Sequence, residues 1–346
     1  MDPAIVPRVS AEELRDGLQQ VLSRYYGSMR RIRKLRRRRS NYASSCAIEN
    51  LEVDLDRGKH LSLVFKDLSP ASLLKAAEHV RPRFLYRPER EIETYRAVLD
   101  PKTFGTPTYY GAYQRPELGE YWLFLERVSG PLLWQVGRLE LWERAAAWIA
   151  RLHSHFAIDG RGQDAAMPAA LLRYDRKHCL RWANRAEDFL SHRDKTRPNG
   201  LEQRFKRIAG QYEQVAKRLL SLPRTFIHGE FYPSNIILRG KGRDKRVCPI
   251  DWEVAAIGPG LIDLAALTSG TWTSDQRKRL VTAYRDGLEP FQGWPPPVDE
   301  LLELVDYCQL HLAVQWLGWA GDWSPPETHS QDWLREALRL ADRLGF

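Results

Sequence analysis

The sequence predicts an α+β protein of two lobes, with a strand-rich N-terminal part before a mainly helical C-terminal part. Alternating apolar and polar residues are typical of the first part, whereas apolar residues at helical spacing dominate from about residue 138 onwards. Between them, the apolar run Tyr121–Arg127 predicts a buried strand, and Gly130-Pro131 ends it. We therefore predict an N-terminal lobe over residues 1–125 and a C-terminal lobe over residues 126–346.

The N-terminal lobe is predicted to hold an antiparallel sheet and two helices. Residues 10–26 are predicted to form a helix, because leucines at helical spacing follow Ser10. Ser10 is a suitable N-cap, since acidic residues follow it in the first turn. From about residue 31 to 68 the alternation predicts strands, with a turn at Asp56-Arg57-Gly58 between two of them. A second helix is predicted over about residues 88–99.

The C-terminal lobe is predicted to be helical apart from residues 225–253, where strand and turn signals alternate. The sequence on both sides of that region has apolar residues at helical spacing. It predicts helices over residues 138–155, 170–191, 200–220, 274–286 and 299–320.

The bulk composition is that of an ordinary globular protein, since 43% of the 346 residues are apolar and 28% are charged. The chain contains no run of about 18 uncharged apolar residues, so no transmembrane helix is expected. The first residues lack a hydrophobic signal core, and a cytoplasmic location is the expectation. The four cysteines lie far apart, which predicts free, mostly buried thiols. His153 and His155 do not share a helix face, so no metal role is expected for them.

The formal charge of +9 has a local source. Residues 24–39 contain nine arginines and lysines and no acid, so the remainder of the chain is close to neutral. Such a run can attract nucleic acid, an acidic membrane surface or anionic ligands. Aromatic residues that would stack on bases are not interleaved with the arginines of residues 30–39, so nucleic acid is not the expected partner.

The segment that follows Phe226 carries the chemistry. Two strand-like stretches flank the turn at residues 240–245 and predict a hairpin whose open ends are Asn235 and Asp251. An amide oxygen and a carboxylate that converge suit Mg²⁺, which proteins hold through one or two oxygens together with phosphates. Glu230 precedes Asn235 by five residues and can reach the same place to accept a proton from a hydroxyl.

The spacing H-G-E-x-x-x-x-N, followed by I-D-W-E, resembles the aminoglycoside phosphotransferase and choline kinase family. The stretch Asp251–Asp263 also resembles the downstream signature of that family, including its Gly-Pro pair. The resemblance implies a protein-kinase-like fold and an ATP- and Mg²⁺-dependent small-molecule kinase, with GTP as a possible replacement for ATP. Its acceptor would be a hydroxyl of an aminoglycoside-, choline- or sugar-like molecule.

The resemblance implies a role for each residue of this segment. Glu230 is the expected catalytic base, which orients and deprotonates the acceptor hydroxyl, while Asn235 and Asp251 would hold Mg²⁺. His228 and Asp263 would brace the catalytic loop and take no part in the chemistry.

In the N-terminal lobe the resemblance implies the parts that bind the nucleotide. Lys66 resembles the strand lysine that contacts the ATP phosphates. Glu91 resembles the helix glutamate that pairs with this lysine, and Glu93 is the second choice. Glu126 and Val128 belong to the expected hinge, whose backbone would read the adenine.

Two departures from the family pattern keep an alternative open, a catalytically weak or inactive nucleotide-binding relative. Glu230 stands where the family has Asp, and the extra methylene moves the carboxylate by roughly 1.5 Å. The expected phosphate loop is also not glycine-rich. Its candidate residues are Ser40, Asn41, Ser44 and Ser45, whose polar side chains and backbone N–H groups would contact phosphate.

The acceptor site is less well defined by the sequence. A stripe of a predicted helix carries Tyr307, His311, Gln315, Trp316 and Trp319, which favours lobe core, with part of an acceptor pocket as the alternative. An acid-lined pocket would suit a cationic acceptor. The candidate acids are Glu253, Asp306 and Asp322.

Overall fold

The computed structural model describes residues 8–40, 46–73, 82–158, 167–192, 200–242, 244–290, 294–319 and 332–346. The chain divides into two compact units, the first made of Met1–His79 with Arg87–Ser129 and the second of Val80–Tyr86 with Gly130–Phe346. The division after Ser129 lies a few residues beyond the boundary expected from the sequence. Residues 82–86 group with the second unit.

The first unit contains a five-stranded sheet in the order β1-β2-β3-β5-β4, in which all neighbouring strands are antiparallel. The predicted turn between β2 and β3 is present, with Arg57 in the left-handed region at φ 59°. The strands are β1 (Ile32–Arg39), β2 (Ala47–Leu55), β3 (His60–Asp67), β4 (Tyr109–Arg115) and β5 (Glu120–Glu126).

One face of this sheet packs against the first helix, α1 (Ala11–Tyr25), and forms the core of the unit. Ser10 caps the helix as predicted, because its hydroxyl accepts from the Glu13 N–H while the Glu13 carboxylate accepts from the Ser10 N–H. Phe65 of β3 is buried in that core. Side chains alternate between the two faces of a strand, so the adjacent Lys66 lies on the opposite face.

Two parts of the first unit differ from the expectation. The helix predicted over residues 88–99 consists of α2 (Glu89–Glu93), which continues directly into a π-helical turn at Thr94–Val98. A short helix, α3 (Pro101–Phe104), follows. Strand β4 was not predicted, because all its residues are only partly buried and its polar and apolar side chains do not alternate clearly.

The second unit is mainly helical, and together with the N-terminal antiparallel sheet it confirms the predicted α+β class. Its short strands are β6 (Leu172–Arg173), β7 (Arg224–Ile227), β8 (Ile236–Arg239), β9 (Arg246–Pro249) and β10 (Ala256–Pro259), arranged as β6-β10-β7 and as the predicted hairpin β8-β9. Its helices are α4 (Leu139–His155), α5 (Arg176–His192), α6 (Leu201–Leu220), α7 (Leu261–Leu267), α8 (Ser274–Gly287), α9 (Val298–Trp319) and α10 (Trp333–Leu344).

The helix predicted over residues 170–191 was wrong at its start, since α5 begins at Arg176. Leu172 and Arg173 instead pair with β10 in parallel, and this long-range pairing overrides the local helical pattern. Helix α10 was not predicted, although its apolar residues are buried along one side.

Among the described residues, no helix is long and apolar enough to cross a membrane. The four cysteines are free and buried, as predicted. Burial raises the pKa of the Cys179 thiol to about 12, so this group is un-ionised and unreactive at neutral pH.

Candidate functional site

The candidate catalytic loop follows β7, and a buried carboxylate holds its backbone. The Asp263 side chain, in the first turn of α7, accepts from the backbone N–H of His228 at 2.7 Å through Oδ2. Its Oδ1 oxygen accepts from the N–H of Gly229 at 2.8 Å. Asp263 has no solvent exposure, so these bonds form in a medium of low polarity and position the loop firmly. The geometry agrees with the bracing role expected for Asp263.

The same carboxylate belongs to a buried hydrogen-bonded chain that the sequence did not reveal. The Nε2 atom of His153 lies 3.1 Å from Asp263 Oδ2, and its Nδ1 atom lies 2.9 Å from the Tyr284 hydroxyl. Burial raises the pKa of the Tyr284 phenol well above its usual value, so the hydroxyl keeps its proton and can donate. The tautomer that serves both bonds has Nε2–H donating to Asp263 and Nδ1 accepting from Tyr284.

Two glycines allow this packing. Gly229 adopts φ +85°, and a Cβ there would lie 2.6 Å from the carbonyl oxygen of Val254. A Cβ at Gly260 would lie 2.7 Å from His153 Nδ1 and 3.0 Å from the Tyr284 hydroxyl. Both positions therefore exclude a side chain, one by its backbone conformation and both by close contact.

His228 ties the loop to the end of the next hairpin. Its Nε2 donates to the carbonyl oxygen of Ile250 at 2.9 Å, and its Nδ1 accepts from the N–H of Glu230 at 3.3 Å. A carbonyl can only accept and an N–H can only donate, so both bonds require the neutral Nε2–H tautomer. His228 is fully buried, which agrees with the expected bracing role.

Asn235 and Asp251 lie at the open end of the hairpin β8-β9, as predicted. The Asn235 Nδ2 group donates to the carbonyl oxygen of Glu230 at 3.0 Å, and the Asn235 carbonyl accepts from the N–H of Ile250 at 2.9 Å. The first bond orients the amide, so its Oδ1 atom is the oxygen presented as a ligand. The second bond brings the backbone of Ile250 beside Asn235, and Asp251 is the residue that follows Ile250.

Asp251 adopts a backbone conformation that side chains rarely take, with φ 68°. Such conformations cost about 1–3 kcal/mol and concentrate at functional sites. An amide oxygen and a carboxylate from the open end of one hairpin are the kinds of donor that Mg²⁺ prefers. The residues present therefore fit the divalent cation that the sequence pattern implies.

Lys66 and Glu91 form the predicted ion pair in the first unit. Nζ lies 2.7 Å from Glu91 Oε1, and the two side chains are 8% and 1% exposed. Glu93, the second choice for this partner, pairs with Arg96 instead. The ammonium of Lys66 is thus fixed on the sheet face opposite the core by a carboxylate from α2.

The other described residues predicted to bind nucleotide lie at or near the ends of strands in the first unit. The backbone N–H of Ser40 donates to the carbonyl of Ile48 at 2.9 Å, so Ser40 continues the pairing of β1 with β2. Glu126 Oε2 accepts from the N–H and the hydroxyl of Thr108 at 3.1 Å and 3.0 Å. Val128 follows β5 and is partly buried. Three candidates of the phosphate loop, Asn41, Ser44 and Ser45, lie outside the described residues.

The predicted aromatic stripe of α9 reaches the candidate catalytic loop through one hydrogen bond. Trp316 Nε1 donates to the Tyr232 hydroxyl at 2.7 Å, and Tyr232 lies two residues after Glu230. His311 of the same stripe is fully buried and belongs to the core. The stripe therefore contributes His311 to the core and Trp316 to a contact with the candidate catalytic loop.

One acid proposed for a cationic acceptor has a structural role instead. Asp306 is 4% exposed and pairs with Arg277 at 2.7 Å and with Arg343 at 3.3 Å. A carboxylate that is buried and shared by two guanidinium groups is already neutralised. Glu253 is partly buried beside the loop segment, and Asp322 lies outside the described residues.

The part of the chain that holds this loop and hairpin also matches a known protein family in sequence. The profile of the phosphotransferase enzyme family matches residues 55–297, which is more than half of the chain. The chain therefore belongs to the phosphotransferase enzyme family. No curated protein matches the sequence.

Solved structures with the same kinase-like fold cover nearly the whole chain at low sequence identity. Choline kinase from Cryptosporidium parvum Iowa II is 12% identical with a TM-score of 0.59, covering 97% of this chain and 94% of its own. The GDP complex of aminoglycoside 2'-phosphotransferase-IIIa is 13% identical with a TM-score of 0.55, covering 95% and 97%. The microcompartment-associated aminopropanol kinase is 17% identical with a TM-score of 0.52, covering 89% and 90%. At these identities the likeness shows the fold, and it confirms the predicted kinase-like class.

Proposed function

We propose that this protein is an ATP- and Mg²⁺-dependent phosphotransferase that moves the γ-phosphoryl group to a hydroxyl of a small molecule. The observation that supports it most is that hydrogen bonds join the backbone of Glu230 to His228 and Asn235, and join His228 to Ile250, the residue before Asp251. These bonds connect the segments that carry a base, an amide oxygen and a carboxylate, which are the parts that phosphoryl transfer requires. The family membership of the chain adds to this support.

In this proposal Glu230 orients the acceptor hydroxyl and accepts its proton. Its backbone is fixed on both sides, because its N–H donates to His228 and its carbonyl accepts from Tyr232 and Asn235. A fixed backbone limits the positions that the longer glutamate side chain can reach. A misplacement of 1 Å can lower a rate by about 10²-fold. The firm backbone position of Glu230 is therefore important, because its side chain is longer than that of the Asp found in the family.

Asn235 and Asp251 would hold Mg²⁺ through Oδ1 and a carboxylate oxygen. When bound, the cation neutralises charge on the phosphate oxygens. Lys66, fixed by Glu91, would position the nucleotide, and Glu126 with Val128 would read its base through the backbone. ATP is the expected donor, with GTP as the alternative, since three of the structural neighbours are GDP complexes.

The acceptor is proposed to be an aminoglycoside-, choline- or sugar-like small molecule with a free hydroxyl. The structural neighbours include enzymes named as choline, aminopropanol and aminoglycoside kinases or phosphotransferases. Tyr232 follows Glu230 by two residues in the loop, and Trp316 of α9 donates a hydrogen bond to the Tyr232 hydroxyl. Both side chains are therefore candidates to line the acceptor.

The test combines nucleotide binding with turnover. ATP with Mg²⁺ should raise the melting temperature more than ATP with a chelator, and a panel of small hydroxyl compounds should reveal at least one that releases ADP and phosphorylated product. Glu230→Gln should lower turnover by about 10²–10⁴-fold while ATP still binds. Asp299→Asn, a change at a carboxylate whose side chain is 85% exposed, is the matched control and should leave turnover unchanged.

The presence of Glu230 in place of Asp keeps a second function in view, a nucleotide-binding relative without catalysis. ATP binding with no product from any acceptor, unaffected by Glu230→Gln, would favour this second function. Absence of both ATP binding and turnover would exclude the two together.

A further inference from the structure

The first unit contains a cavity that the proposed reaction does not use. It has a volume of about 430 Å³, within the usual range of roughly 300–1,000 Å³ for small-molecule pockets. The C-terminal end of α1, strand β4 and the side chain of Arg96 form its walls. None of the residues predicted for catalysis or nucleotide binding lines it.

A β-bulge shapes the wall that β4 contributes. The register of β4 against β5 shifts between Tyr109 and Gly111, where Gly111 has φ +140°. A Cβ at Gly111 would lie 2.7 Å from Val21 Cγ1, so the glycine lets the strand approach α1 closely. In a regular strand, Tyr109 and Tyr110 would point to opposite faces, whereas here both line the cavity.

Two guanidinium groups reach the cavity from different elements. Arg24 lies in the last turn of α1 and makes no ion pair among the described residues, whereas Arg96 shares its charge with Glu93. Burial raises the pKa of the Tyr109 phenol, while Arg96 and Arg24 oppose that rise and Glu93 adds to it. Arg24 and Arg96 line the same cavity as the Tyr109 ring, so the two guanidinium groups lie along one pocket.

Aromatic rings form the apolar part of the lining. The ring centroids of Tyr25 and Tyr110 are 4.8 Å apart with a tilt of 52°. Tyr25 is a large aromatic side chain that is 45% exposed. The cavity thus offers tilted ring faces beside two cations.

We propose that this cavity binds an aromatic phosphate monoester, with its planar ring against Tyr25 and Tyr110 and its phosphate between Arg24 and Arg96. Arginine is suited to this task because its planar group donates two parallel hydrogen bonds to phosphate and also stacks on rings. The phosphate would lie between Arg24, which makes no ion pair among the described residues, and Arg96, whose charge Glu93 partly offsets. The site is separate from the residues proposed for phosphoryl transfer.

Phenyl phosphate is the probe that tests the proposal, with titration calorimetry as the measurement on the full chain. It should bind more tightly than benzyl alcohol, which lacks the charge, and than inorganic phosphate, which lacks the ring. Arg24→Gln and Arg96→Gln should each weaken binding by about tenfold, the usual effect of losing a charge-assisted hydrogen bond. Arg38→Gln, at an exposed arginine of β1 outside the cavity, is the matched control and should have no effect.

Three results would overturn the proposal. The first is no saturable binding in the millimolar range. The second is binding that Lys66→Met removes and Arg24→Gln leaves intact, because the probe would then occupy the proposed nucleotide site. The third is equal binding of a single-stranded oligonucleotide with and without a 5′-phosphate, lost on Arg36→Gln with Arg38→Gln. That result would indicate polyanion binding along β1.

An oligonucleotide also identifies the source of the ligand, because its 5′-terminal nucleotide carries a phosphate monoester on the sugar together with an aromatic base. If only the 5′-phosphorylated form binds, and Arg24→Gln removes that binding, the cavity accepts the end of a nucleic acid as well as a free aromatic phosphate. If neither form binds while phenyl phosphate does, the ligand is a free small molecule. Both outcomes support the proposed chemistry.

Discussion

The ion pair of the first unit and the buried network of the second unit hold candidate functional groups in different ways. Lys66 and Glu91 contact one another through their side chains. Asp263 instead accepts from the backbone N–H groups of His228 and Gly229 and also contacts His153. A side-chain pair can be replaced as a unit, whereas a backbone N–H cannot be removed by substituting its own residue, unless by proline.

This difference predicts how each region tolerates change. Replacing both members of a buried ion pair by apolar side chains removes the two charges together, so much of the stability can be recovered. Replacing the carboxylate of Asp263 always leaves at least one buried backbone donor without an acceptor. We therefore expect the network of the second unit to be the less tolerant of the two.

The largest expected effect is that of Asp263→Asn. The amide can accept from only one of the two backbone N–H groups, and its own NH₂ faces the other. We expect a loss of about 3 kcal/mol in the free energy of unfolding. Urea unfolding measures it, and Asp299→Asn, at an exposed carboxylate, should change it by less than about 0.5 kcal/mol. An equally small effect of Asp263→Asn would contradict the bracing role.

Lys66→Met should have an effect of similar or slightly smaller size, about 3 kcal/mol, because the buried Glu91 carboxylate loses its ammonium partner. The double variant Lys66→Met with Glu91→Leu should recover most of this loss. A double-mutant cycle by urea unfolding measures the coupling between the two positions. If the double variant were as unstable as the sum of the single variants, the pair would not behave as a replaceable unit.

Gly260→Ala tests the packing that supports the network. The added methyl group would lie 2.7 Å from His153 Nδ1, so the histidine or the helix must shift. We expect a loss of about 2 kcal/mol by urea unfolding, as for other overpacked sites. Gly137→Ala is the matched control, since nothing lies within 4 Å of its added Cβ. A neutral result at Gly260 would mean that the network adjusts freely.

The smallest expected effect belongs to an exposed histidine, His60, on the same sheet face as Lys66. Hydrogen bonds to Asp54 and Glu52 raise the pKa of His60 above its usual value of 6.5. A raised pKa in the folded state stabilises below the unfolded pKa, and the stabilisation disappears as pH rises through the folded pKa. His60→Gln should therefore lower the melting temperature slightly in acid and not in alkali. A larger difference at high pH would reverse the expected sign.

Much of the candidate site could be predicted because short spacings determine it. The five-residue interval from Glu230 to Asn235 and the hairpin that ends at Asp251 are local features, and the structure has the predicted turn and strands. Strand alternation likewise predicted the strand that carries Lys66. The pairing with Glu91 rather than Glu93 followed from the family resemblance, and periodicity alone could not have separated them.

Other parts of the site could not be predicted because they join distant segments. His153 lies 110 residues from Asp263 and 131 residues from Tyr284 along the chain. The spacing of His153 and His155 argued against a metal role for His153, but nothing in the pattern connected His153 with either partner. Gly260, next to the predicted Gly-Pro pair, was the one available signal, since a glycine before a helix can indicate close packing.

The sequence by itself determined the α+β class, most helices and strands, and the residues of the candidate catalytic loop. Helical and strand periods and short motifs are properties of neighbouring residues, so they can be recognised without the tertiary structure. Only the tertiary structure decided that His153 and Tyr284 support Asp263, that Asp306 is neutralised by two arginines, and that Leu172 begins a strand. The physical reason is that burial and hydrogen-bond satisfaction depend on which distant segments come together, and local pattern carries little information about that choice.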